Sequence, residues 1–133
     1  MKISKACNVR ATVVDAIVAH AREAAPKECC GILLGHQDNI VDIVRSANLA
    51  DDPNRFLIDP KIHFDALRNG RASGLDVVGF YHSHPHSPPI PSPTDVAEAS
   101  YEHHFYLIVS LVTDPPSVNV YWLDAGRFEE VSS

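Results

Sequence analysis

In this 133-residue chain, two histidines two residues apart, His82 and His84, are followed after ten intervening residues by a carboxylate, Asp95. Those residue types at that spacing suit a metal. The histidines end an apolar run, LDVVGFY at 75–81, that reads as a buried strand, and side chains at i and i+2 of a strand leave the same face. The Pro-rich stretch after them ends in Ser92-Pro93-Thr94-Asp95, which reads as the first turn of a helix and can bring the carboxylate back toward the imidazoles. Two nitrogens, one oxygen and an open position describe a catalytic zinc site, where three protein ligands leave the fourth tetrahedral corner to water.

Each of these residues also has an ordinary explanation. With eight histidines in the chain, chance alone supplies about 0.4 H-x-H pairs, so the pair proves little by itself. Ser92 and Asp95 have the spacing of an N-cap and its N3 partner, with Pro93 at N1. That reading is compatible with catalysis, because a helix N-terminus also favours negative charge. His86 makes a second H-x-H with His84, but Pro85 between them cannot donate to a sheet ladder and bends the chain away. His86 is left as a turn residue or a substrate contact. His20, His36, His63, His103 and His104 have no partner at ligand spacing. A hydrolytic zinc site also needs a base, and Glu28, an acid opening the apolar segment ECCGILLG, is the candidate; its ordinary reading is an exposed strand start. Cys29 and Cys30 read as small hydrophobes in that strand, with Cys30 as a metal ligand or nucleophile the alternative.

The elements that must position these residues follow from periodicity. Residues 12–25 repeat apolar side chains near the helical period, with Thr12 and Asp15 spaced as a capping box and Pro26 at the end. Residues 28–34 and 39–44 read as a hairpin around His36-Gln37-Asp38. Residues 46–55 are polar and read as a loop beside the substrate path, and 56–58 as a brief strand. Asp59 caps a helix over 59–73, whose apolar stripe is Ile62, Phe64, Ala66 and Leu67. Residues 105–112 read as a central strand, and 118–123 with 127–131 as a hairpin around Asp124-Ala125-Gly126.

The absence of any repeat or long linker predicts one domain over 1–133. At 45% hydrophobic residues it can bury a core. A net charge of -6 with no basic cluster argues against a nucleic-acid partner. The first fifteen residues hold no continuous apolar run, so neither a secretion signal nor a membrane span is expected, and the cytoplasm is the expected location. Three cysteines, two of them adjacent, do not suggest a disulfide framework.

Glu28, then His82-Ser83-His84-Pro85, six residues, Ser92, two residues and Asp95, with an upstream E-x-C-G-x-L-x-G segment, resembles the JAMM (MPN-plus) metallopeptidases, also called Mov34/MPN/PAD-1 domains, in their compact prokaryotic form. The resemblance implies the α/β class in its α+β form, with a mixed curved β-sheet flanked by helices, similar to cytidine deaminases. It implies Zn²⁺ held by His82, His84 and Asp95, Glu28 as general base, and Ser92 as a hydrogen-bond donor to the tetrahedral intermediate. The implied reaction is hydrolysis of a peptide or isopeptide bond at the C-terminal tail of a ubiquitin-like or β-grasp sulfur-carrier protein. The competing readings are a non-catalytic MPN-type interaction scaffold and a zinc hydrolase of a small-molecule amide; for the latter, the H-x-E and P-C-x-x-C pattern of zinc deaminases is absent.

Overall fold

A computed structural model describes residues 5–132. Residues 1–4 and 133, the ends of the expected 1–133 domain and part of the stretch searched for a signal, lie outside the described residues. The elements run β1 (Asn8–Val9), α1 (Ala11–Ala24), β2 (Cys30–His36), β3 (Asn39–Ser46), α2 (Pro60–Ala72), β4 (Asp76–His84), α3 (Pro93–Glu98), β5 (Phe105–Ser110), β6 (Ser117–Asp124) and β7 (Arg127–Glu130). The strands form one mixed seven-stranded sheet in the order β1-β3-β2-β4-β5-β6-β7. β1 with β3 and β4 with β5 are parallel; the other neighbours are antiparallel. A bridge between Ala6 and Ser132 joins the two edges, so the sheet is curled.

The two central strands explain where the site sits. All of β5 is buried, and so is β4 from Gly79 to His84, as expected of parallel neighbours covered on both faces. Alternation then sorts their side chains. Tyr81, Phe105, Leu107 and Val109 pack with Leu33 under Val13, Ile17 and Ala21 of α1. Phe80, Tyr106 and Ile108 pack with Ile32 and Leu34 near Ala66 of α2. His82 and His84 therefore project on the α2 side, with Phe80. Gly79 permits the close β4–β5 approach, since a Cβ there would lie 2.0 Å from the Phe105 carbonyl oxygen. The β2–β3 and β6–β7 hairpins form as expected, the second through Ala125 and Gly126, both at positive φ.

Four local expectations change. Thr12 does not cap α1. Arg10 is the N-cap and makes no side-chain cap bond; its amide donates to the Ile40 carbonyl at 3.0 Å, so pairing with β3 sets the helix start two residues before a Thr12 cap would. Ser46 belongs to β3, and the loop begins after it. Residues 56–58 form no strand; Ile58 makes one isolated bridge to Asn48. In α2 the stripe splits: Ala66 is buried, but Phe64 is 62% and Leu67 43% exposed. Both line a groove of about 980 Å³ between α2, the loop before it and α3.

Candidate metal centre and active site

β4 delivers the two imidazoles, and α3 delivers the carboxylate. Ser92 caps α3 by accepting a hydrogen bond from the Asp95 amide at 3.0 Å, while the Ser92 amide donates to Asp95 Oδ2 at 2.9 Å. The capping-box reading is thus correct, and it aims Asp95 at β4. His82 Nε2 lies 3.1 Å from Asp95 Oδ2, His84 Nε2 lies 3.0 Å from it, and the two nitrogens are 3.1 Å apart. All three residues are buried.

These three atoms could hold a cation. Ligand atoms about 2.0 Å from a tetrahedral centre lie about 3.3 Å from one another, close to the separations here. The proton inventory points the same way. His84 Nδ1 lies 2.8 Å from the Pro88 carbonyl, which can only accept, so Nδ1 carries the hydrogen. In the neutral ring Nε2 then turns a lone pair toward the Asp95 carboxylate and His82, and a cation among them relieves that opposition. The Pro-rich loop that supplies this carbonyl is itself fixed, since Ser110 Oγ donates to the Ser87 carbonyl and the Tyr121 hydroxyl to the Pro89 carbonyl. His86 on that loop is exposed.

Glu28 is not an exposed strand start. It is only 7% exposed, and among the described residues its Oε1 is a buried side-chain atom without a hydrogen-bond partner. Cys30 pairs with His82 in the β2–β4 ladder, and the Ser83 amide donates to the Cys29 carbonyl. Continuing that antiparallel register sets Glu28 across from His84, on the face of the cluster. Burial raises its carboxyl to about 7; the charge of His84 opposes this rise, and those of Asp95, Asp52 and Glu98 add to it. Burial also pushes the Asp95 carboxyl up, but the bonds from His82 and His84 outweigh that and hold it well below the usual range. Burial lowers His82. It lowers His84 too, but Asp95, the Pro88 carbonyl and Glu28 outweigh it and leave this imidazole raised. Cys30 is buried and its thiol is pushed up to about 12, first by burial, which suits a packing residue and not a nucleophile.

The loop before α2 contributes residues that the sequence reading did not single out. Asn48 Nδ2 donates to the carbonyls of Glu28 and Arg55, and its Oδ1 accepts from Ala50 and Leu57. Phe56 stacks on the His82 ring with centroids 4.2 Å apart and planes at 19°. Arg55 pairs with Glu98 of α3. An asparagine, a phenylalanine and an arginine in a polar stretch carry no periodic signal, so only the folded chain reveals these contacts.

Among known proteins, the family of prokaryotic homologs of the JAB domain matches residues 10–124. A desampylase of Haloferax volcanii is 39% identical over 80% of this chain and 82% of its own length. A CysO-cysteine peptidase of Mycobacterium tuberculosis is 33% identical over 77% of this chain and 71% of its own. The solution structure of a Desulfitobacterium hafniense protein superposes with a TM-score of 0.86 at 29% identity, covering 95% of this chain and 90% of that one. The curled mixed sheet, its flanking helices and a match over most of the sequence agree, and the chain belongs to the prokaryotic JAB family, the compact form of the JAMM/MPN group.

Proposed function

We propose that this chain is a zinc-dependent peptidase acting as a single domain, which hydrolyses the peptide or isopeptide bond at the C-terminal tail of a ubiquitin-like or sulfur-carrier protein. The observation that carries this reading is the buried Glu28 carboxyl, whose Oε1 has no hydrogen-bond partner among the described residues, beside the three convergent ligand atoms. Leaving such a group without a partner costs about 1–3 kcal/mol, a cost that an interaction scaffold has no reason to retain.

His82, His84 and Asp95 hold the metal in this proposal. When bound there, Zn²⁺ supplies Lewis acidity, bringing the pKa of water from about 15.7 toward about 7 and polarising a carbonyl. Glu28 Oε1 accepts the proton of the attacking water and passes it to the departing amine. Without metal this carboxyl titrates near 7; a bound cation favours its charged form, the form that accepts the water proton. Ser92 Oγ already accepts from the Asp95 amide, which leaves its O–H free to donate to the carbonyl oxygen as charge develops; one such donor typically contributes about 2.7–4 kcal/mol to the transition state. His84 Nδ1 holds its proton against Pro88 and keeps the ring oriented. The names of the two relatives support a tail-processing reaction and a carrier-protein substrate. The cytoplasm is the proposed location; among the described residues no helix is long and apolar enough to cross a membrane.

The test uses zinc-loaded protein and a β-grasp carrier extended at its C-terminus. The extension should be released, and Glu28→Gln should keep its zinc while losing hydrolysis by about 100-fold or more. Hydrolysis by Glu28→Gln at the parental rate would remove Glu28 from the mechanism.

A further inference from the structure

Resting on that reading, we infer that Arg55 recognises the α-carboxylate of a single residue attached to the carrier tail, so that the chain removes one C-terminal amino acid in preference to cleaving a lysine isopeptide.

The groove that runs from the metal cluster is walled mainly by apolar and aromatic side chains, together with Asp95 and Glu98. Among the described residues that line it, Arg55 is the one with a permanent positive charge. Its position is tied to the chemistry from both sides. The next residue, Phe56, stacks on His82, and its partner Glu98 lies three residues after Asp95 in α3, on the same helix face. The Arg55 backbone is fixed: its amide donates to the Asp52 carbonyl at 3.1 Å, and its carbonyl accepts from Asn48 at 2.9 Å. The side chain is the part free to move.

The present partner leaves the guanidinium poorly used. Nε, at 3.0 Å, and Nη2 both donate to the same oxygen, Glu98 Oε1, whereas a guanidinium fork matches a carboxylate best when each nitrogen meets its own oxygen. Both side chains are substantially exposed, and an exposed pair of this kind contributes little to stability, so exchange for another carboxylate is cheap. A peptide substrate carries its terminal anion close to the scissile bond when a single residue follows that bond: the α-carboxylate then lies one residue on, about 3.8 Å of chain away. A lysine isopeptide places methylene groups there instead. Bound zinc offsets the charges of Asp95 and Glu28, so beside Glu98 the cation left to meet an incoming carboxylate is Arg55.

The experiment compares a β-grasp carrier protein extended by one alanine, prepared with a free C-terminal carboxylate or a carboxamide. kcat/KM is measured for the parental chain, Arg55→Gln and Glu98→Gln, all zinc-loaded. Kd for both forms is measured by calorimetry in the Glu28→Gln background. The parental chain should favour the free acid by about 10- to 30-fold. Arg55→Gln should bring the acid-to-amide ratio near one in both measurements, and Glu98→Gln, which releases Arg55, should hold or raise it. A ratio unmoved by Arg55→Gln overturns the inference, as does an equal collapse in Glu98→Gln, which would make the pair only a strap. Hydrolysis of both forms at equal parental rates removes the role of Arg55 alone; hydrolysis of neither overturns the proposed function itself.

Discussion

Glu28→Gln should change the stability of the metal-free protein in a pH-dependent way, and the size follows from where this carboxyl sits. In the folded chain it titrates near 7, against about 4.5 when exposed, with burial the leading cause. A group whose folded pKa is raised contributes stability that is fully present below the unfolded pKa and is lost as pH rises through the folded one. The parental chain therefore loses this contribution between about pH 4.5 and 7. At about 1.4 kcal/mol per tenfold change in proton affinity, the loss is roughly 3 kcal/mol. The glutamine amide mimics the protonated acid and does not titrate, so its own packing and hydrogen-bond costs cancel when two pH values are compared. Urea unfolding of chelator-treated protein should show the stability of Glu28→Gln relative to the parent rising by roughly 3 kcal/mol from pH 4 to pH 8, and thermal melts a relative midpoint shift of about 10 °C. Added zinc should shrink the difference, since a cation beside Glu28 favours its charged form. A relative stability constant within about 0.5 kcal/mol over that range would refute the desolvated carboxylate.

Ser92→Ala should slow turnover by about 100- to 1,000-fold and, by deleting the α3 cap, lower stability by about 1 kcal/mol. Metal content should be unchanged, because the donor to Asp95 Oδ2 is the Ser92 backbone amide, which the substitution leaves in place; parallel kcat, urea and zinc measurements check all three. Phe56→Leu removes the ring stacked on His82 and should weaken zinc binding by about tenfold in a chelator competition, with an unchanged affinity showing that the stack does not orient the imidazole.

Much of the site was legible because its geometry is local. Period-two alternation in β4 puts His82 and His84 on one face, Pro85 separates His86 from them, and a Ser-Pro-x-Asp helix start turns Asp95 back toward the strand. Residue type alone makes an exposed strand start the ordinary reading of Glu28, because its burial depends on the β2–β4 register and on the loop that contacts it. The same limit applies to Arg55 and Glu98, 43 residues apart in the chain, and to Phe56 against His82. Tertiary pairing likewise overrode the Thr12 capping signal. Phe64 and Leu67 fit a helical stripe by period, but the groove beside α2 leaves that part of the stripe uncovered.

Zinc stoichiometry by mass spectrometry, on the parental chain, His82→Ala and Glu28→Gln purified alike, decides which side chains hold the cation. One equivalent in the parent and in Glu28→Gln, with loss of metal from His82→Ala, is the predicted result. One full equivalent retained by His82→Ala would contradict it, because the cation would then lie somewhere other than among His82, His84 and Asp95.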